Sequence, residues 1–111
     1  MIKETYLAIL KKMRELHPEA EFIVVTRTAH SVLAPSWELL NEAKSTNMTF
    51  AEYSRRYIKE ISERRAARLE LTRLARLSRE KDVYLVCYEK DPARCHRSIL
   101  LKIIKGEITL D

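Results

Sequence analysis

A single glycine and three prolines in 111 residues leave few positions for glycine-lined loops or sharp breaks. With abundant Glu, Arg and Lys, that scarcity fits a heat-stable protein, a thermophile's, with trimmed loops and surface ion pairs. No stretch approaches the roughly 18 to 20 uninterrupted apolar residues that span a bilayer. The start, Met1-Ile2-Lys3-Glu4, lacks the apolar block of a secretory signal. A cytoplasmic protein with no membrane partner is expected. Only two cysteines occur, Cys87 and Cys95, eight positions apart. In a reducing compartment such a pair serves as thiols, ligands or packing groups rather than as a disulfide, although some hyperthermophile cytosols keep such bridges.

What is present is a globular composition, 46% hydrophobic and 33% charged, without internal repeat, linker or low-complexity tract. One domain over residues 1–111 is expected. Twenty-one Lys and Arg against 16 Asp and Glu leave a net charge of +5. That balance favours anionic partners, among phosphate metabolites, nucleic acid and acidic proteins.

Tyr6, Leu10 and Met13 share one side of residues 3–16, which predicts an amphipathic helix ended by His17-Pro18. Phe22 to Val25 is an unbroken, β-branched run that predicts a strand buried on both faces, with Thr26 and Arg27 at its C-terminal end. Ser36 opens a short helix through Trp37, Leu39 and Leu40, and Ser45-Thr46-Asn47 reads as a loop. Phe50, Tyr53, Tyr57 and Ile61 then form one helical stripe, and Leu71, Leu74 and Leu77 another, with no Pro or Gly to say whether this is one helix or two. Val83 to Tyr88 predicts a second strand. Asp91-Pro92 suits an N-cap and first helical position, and Ile99 to Ile104 predicts a helix closed by Gly106. A third strand is placed around Thr28 to Leu33 or Glu107 to Leu110. Strands alternating with helices predict an α/β fold, helix-rich, with a small, mostly parallel sheet flanked by helices. A sheet this narrow leaves room for completion by a partner subunit, as in a homodimer.

The chemically informative segment is Cys87 to Arg97, a Cys-X7-Cys-His-Arg cluster where a strand turns into the last helix. In open parallel sheets ligands bind beyond the carboxyl ends of strands. Thr26-Arg27 and Cys87-Tyr88-Glu89 would share that edge. The final helix adds unpaired N–H groups and a positive dipole end beside Arg94, His96 and Arg97, a set suited to an anion. A thiol such as Cys95 at that end would have its thiolate stabilised. Packing readings stand beside these. Cys87 alternates with Val83 and Leu85 on one strand face, and buried cysteine often fills a core. His96 precedes Ile99, Leu100 and Ile103 at helical spacing and so fits a hydrogen-bonded core histidine. A zinc site would need a fourth ligand and closer cysteines, and His17 and His30 show no ligand pattern, so no metal is expected. A phosphatase loop fails too: six positions after Cys87 stands Ala93, with Arg94 one later, and no glycine lets the loop wrap a phosphate.

The run Cys87-Tyr88-Glu89-Lys90-Asp91-Pro92-Ala93-Arg94-Cys95-His96-Arg97 resembles the closing motif of the domain of unknown function family 488 (DUF488): Cys-X-Glu, a short proline-containing loop, then Cys-His-Arg. Leu33-Ala34-Pro35-Ser36 followed by Leu39-Leu40, and the aromatic stripe Phe50 to Tyr57, are similar to shorter, archaeal-type members. With Thr26-Arg27 the resemblance covers nearly the whole chain. The family often closes its first strand with Asp-X-Arg, whereas Val25-Thr26-Arg27 supplies the arginine without the acid. The resemblance implies an α/β fold, nominates Cys87, Glu89, Cys95, His96 and Arg97, and names neither substrate nor cofactor.

From these residues the expected function is a pocket for an anionic small molecule, phosphate- or nucleotide-like, whose catalytic use is left open. Cys87, Glu89, Cys95 and His96 are its candidate catalytic groups: Glu89 or His96 to move a proton, a cysteine to attack. Arg27, Arg94, Arg97 and Tyr53 are its candidate ligand-binding groups. The alternative is a nucleic-acid binder using Arg55, Arg56, Arg64, Arg65, Arg68, Arg73, Arg76 and Arg79 against backbone phosphates. Glu60, Glu63, Glu70 and Glu80 interleave with them, the pattern of a solvated helix face. A third reading makes Trp37, Tyr53 and Tyr57 a partner surface.

Overall fold

The computed structural model describes residues 1–90 and 95–110. Three strands, β1 (Ile2–Tyr6), β2 (Glu21–Val24) and β3 (Val83–Cys87), form one sheet in the order β1-β3-β2, parallel throughout. Ile2 pairs with Val83 on one side of β3 and Glu21 pairs with Val83 on the other. Five helices complete the fold: α1 (Leu10–Leu16), α2 (Trp37–Ser45), α3 (Phe50–Glu63), α4 (Arg65–Leu77) and α5 (His96–Ile104). The expected helix-rich α/β fold with a small parallel sheet is the one observed.

Val83 to Cys87 is buried along its whole length because β3 is the central strand, flanked on both edges and covered on both faces. Val83, Leu85 and Cys87 join the main core with Tyr57, Ile61, Leu71, Leu74, Ile99 and Leu100 from α3, α4 and α5. Tyr84 points to the opposite face, where it stacks on Phe22 at 5.0 Å and tilts against His17 at 5.7 Å.

The N-terminal segment departs from expectation. Residues 2–6 are a strand, a 3-10 turn covers Leu7–Ile9, and only Leu10–Leu16 is α-helical. The exposed edge of β3 needs a hydrogen-bonding partner, and β1 supplies it, so sheet pairing outweighs a helical spacing that carried only three apolar residues. Lys3 and the N-terminal amine both reach Asp82, just before β3, at 3.2 and 3.5 Å. The third strand is therefore neither Thr28 to Leu33 nor Glu107 to Leu110. β2 is an edge strand and only half-buried, not covered on both faces.

Helices α3 and α4 are separate, broken at Arg64, whose backbone is extended at φ −97° and ψ 110°. The Arg64 guanidinium donates to the carbonyls of Ala34 and Val32 and pairs with Glu60 at 3.2 Å. Ser36 caps α2 by accepting the Leu39 N–H at 3.1 Å, and Thr49 caps α3 by accepting the Glu52 N–H at 3.1 Å. α5 ends as predicted at Gly106. There φ of +81° allows Glu107 N–H to reach Lys102 O and Gly106 N–H to reach Ile103 O, the paired bonds of a Schellman stop. Its start differs: the cap position is Cys95, and the Asp91-Pro92 pair lies outside the described residues.

Candidate functional site

The parallel strands end together at one edge of the sheet, and the chain after β2, the chain after β3 and the start of α5 meet there. Cys87 is the last residue of β3, Cys95 sits at the N-cap position of α5, and His96 is its first helical residue. All three side chains are buried. His96 Nε2 lies 2.7 Å from the carbonyl oxygen of Val25. A carbonyl only accepts, so Nε2 carries the hydrogen and donates it. The other ring nitrogen, Nδ1, faces the sulfurs of Cys87 and Cys95 at 4.0 and 3.9 Å. The sulfurs and Nδ1 all lie within 4.8 Å of one another.

Two thiols this close cannot both ionise freely, and their surroundings separate them. The neighbouring Cys95, above all, holds Cys87 well below the ordinary thiol range against the opposing effect of burial. Cys95 is pushed up by the Cys87 charge beside it and by burial, with the Arg97 N–H opposing. The two thiols titrate as a coupled pair, with Cys87 the more acidic.

Over these groups opens a cavity of about 430 Å³. Its floor is Cys87, Cys95 and His96, and Arg27 and Glu89 stand at its rim. One wall is an aromatic ladder on α3: Phe50 stacks on Tyr53 at 6.0 Å, Tyr53 on Tyr57 at 6.3 Å, and Tyr57 meets the His96 ring edge-on at 5.5 Å. Burial, followed by the nearby thiols, pushes the Tyr53 hydroxyl well above its usual range, so it stays a protonated donor. The facing wall is α2, which contributes Trp37, Leu40 and Lys44.

Six of the expected residues therefore converge: Arg27, Tyr53, Cys87, Glu89, Cys95 and His96 all line the cavity. His96 and Cys87 are buried, as the packing readings expected, and both also line the cavity. Arg97 does not converge. It is 1% exposed, and its guanidinium reaches Glu4 Oε1 at 3.2 Å, Thr5 O at 2.6 Å and Lys90 O at 3.1 Å. Adjacent helical residues point about 100° apart, so with His96 turned to the cavity Arg97 faces β1. An anion there would have to displace Glu4. Arg94 lies outside the described residues.

Trp37 was expected only as a partner surface, and Lys44 was not singled out. The signal was the spacing 37, 40, 44, one face of a helix. Four of the eight arginines that suggested a nucleic-acid surface are tied to neighbouring carboxylates. Arg55 pairs with Glu52, Arg56 with Glu42, Arg64 with Glu60 and Arg73 with Glu70, all at 2.6 to 3.2 Å.

A family model described as the active DUF488-N3 subclade matches residues 6–107. No curated protein and no solved structure matches the chain.

Proposed function

Since the chain belongs to the DUF488 family, over residues 6–107, and carries that family's cysteine motif at the floor of a cavity, we propose that it binds a small anionic ligand with a planar ring, a nucleotide or similar phosphate ester. The reacting end of that ligand rests on Cys87, Cys95 and His96, with Glu89 at the rim to carry a proton. The observation that carries this reading is the charge at the rim. Arg27 and Lys44 both line the cavity, and neither has an ion-pair partner among the described residues. A phosphate supplies the missing counter-charge, and the guanidinium fork of Arg27 suits it in a bidentate way. Trp37, Phe50 and Tyr53 offer ring faces to a base, and a volume of about 430 Å³ is ordinary for a small-ligand pocket. The description of the matched subclade as active agrees with a pocket that does chemistry.

Trp37 is the one tryptophan of the chain, so its fluorescence reads this cavity alone. Titration with nucleotides, inorganic phosphate and uncharged nucleosides is expected to rank nucleotides tightest. Arg27→Ala should weaken nucleotide binding about 10- to 100-fold, the loss of one or two charge-assisted hydrogen bonds, and leave nucleoside binding unchanged. Equal binding of nucleosides and nucleotides, or an Arg27→Ala protein that binds nucleotides like wild type, would remove the anion from the proposal.

A further inference from the structure

The wide spacing of the cysteines and the lack of a fourth ligand spoke against a metal in the sequence. The fold answers the first objection, because the end of β3 and the start of α5 bring Cys87, Cys95 and His96 together. The second dissolves if the site is of the catalytic kind, which keeps three protein ligands and one open position. We propose that Cys87 Sγ, Cys95 Sγ and His96 Nδ1 hold one zinc ion, whose fourth position opens into the cavity.

The distances suit such an ion. Zinc–sulfur bonds of about 2.3 Å and zinc–nitrogen bonds of about 2.0 to 2.1 Å at tetrahedral angles place sulfur and nitrogen about 3.6 Å apart. The observed sulfur–nitrogen separations are 4.0 and 3.9 Å, and the three ligand atoms all lie within 4.8 Å of one another against about 3.8 Å between two sulfurs on one zinc, so modest side-chain rotations bring the ligands in. The tautomer is already set. His96 Nε2–H donates to Val25 O at 2.7 Å, the outer-shell bond that aims an imidazole and leaves Nδ1 free to ligate. Two thiolates and an imidazole form a soft set that selects zinc over magnesium, calcium or manganese, and the two thiolates cancel its charge in a site this buried. Tyr57 closes the rear of His96, so the open coordination position faces the cavity. The proposal rests on the ligand-pocket reading only for what occupies that position, water or an oxygen of the anionic ligand, as in metal-assisted hydrolysis of a phosphate ester.

The full chain, purified in reducing buffer and desalted after incubation with zinc, is expected to carry about one ion per chain by elemental analysis. Cobalt in place of zinc should give the intense visible bands of a tetrahedral ion and a near-ultraviolet thiolate-to-cobalt band. Cys87→Ser, Cys95→Ser and His96→Gln should each lose most of the bound ion, while Arg27→Ala keeps all of it. Because a ligand variant can misfold, wild type is also stripped with a chelator and its fold followed by circular dichroism. Cobalt restored to stripped, folded protein should bring both sets of bands back. The proposal is overturned if folded, reduced wild type retains no more zinc than His96→Gln, if cobalt shows no thiolate band, or if Cys87 and Cys95 are found bridged in reducing buffer. Trp37 quenching by nucleotides in the stripped protein separates the two ideas. Quenching without metal binding sinks the ion and keeps the pocket, and metal binding without quenching does the reverse.

Discussion

Arg97→Met is expected to lower the free energy of unfolding by about 3–5 kcal/mol, the usual cost of removing one side of a buried ion pair. The arginine is 1% exposed, and its three contacts join different parts of the chain. Glu4 and Thr5 belong to β1, and Lys90 to the segment leaving β3. Methionine keeps the apolar stem but leaves the Thr5 and Lys90 carbonyls and the Glu4 carboxylate without their donor. Glu4 keeps 22% exposure, so water recovers part of its charge, which points to the lower half of that range. At about 4–8 °C per kcal/mol for a domain of this size, the melting temperature should fall by more than 10 °C. Arg97→Lys keeps the charge but cannot span three acceptors, and should fall between. Arg73→Ala removes an exposed pair at 2.6 Å and should cost less than about 1 kcal/mol. Urea unfolding followed by circular dichroism measures all three. An Arg97→Met protein within about 1 kcal/mol of wild type would mean that the clamp holds nothing. Because Lys90 adjoins Glu89, the same variant should also loosen the rim of the cavity, making Arg97 a positioning residue rather than a ligand.

The contrast between His96 and Arg97 shows where sequence reasoning stops. Both stood in one motif at a helix start, and both were assigned to the pocket, yet their directions follow from the rotation of α5, which tertiary packing sets. Cys87, Cys95 and His96 were legible because a strand end and a helix start are local features. β3 was legible because a run of five apolar residues has few other uses. β1 was not, because an edge strand buries little, only Ile2 and Thr5 in this one, and the helical spacing of Tyr6, Leu10 and Met13 ran across its end. The break at Arg64 was hidden for a related reason. No local breaker marks it, and its side chain is held by carbonyls of residues 32 and 34, some thirty positions away in sequence. The cavity wall on α2 was readable from its spacing, but only once α2 is known to face the cysteines.

Tyr57→Ala is expected to cost about 3–5 kcal/mol, as large-to-small changes of buried aromatics do, and Tyr57→Phe about 1–3 kcal/mol. The side chain is fully buried, its hydroxyl donates to the Leu33 carbonyl, and Leu33 is itself fully buried. Phenylalanine keeps the ring but strands that carbonyl; alanine also opens a cavity behind His96 and beside Tyr53. Burial pushes the Tyr57 hydroxyl well above its usual range. A folded-state value raised above the unfolded one gives stability that is complete below the unfolded pKa of about 10 and declines above it. The difference between wild type and Tyr57→Phe should therefore be flat from about pH 6 to 9, which urea unfolding at several pH values would check. A difference that shrinks across that range would mean that the phenol ionises inside it and is not sealed from water. The two variants also divide the roles of the residue. Tyr57→Phe leaves the edge-on contact with His96 and should bind nucleotides at the Trp37 wall like wild type, whereas Tyr57→Ala frees the imidazole to turn and should weaken binding at temperatures where it remains folded. If both bind alike, the hydrogen bond from His96 to Val25 is sufficient to hold the ring, and the aromatic ladder serves the core alone.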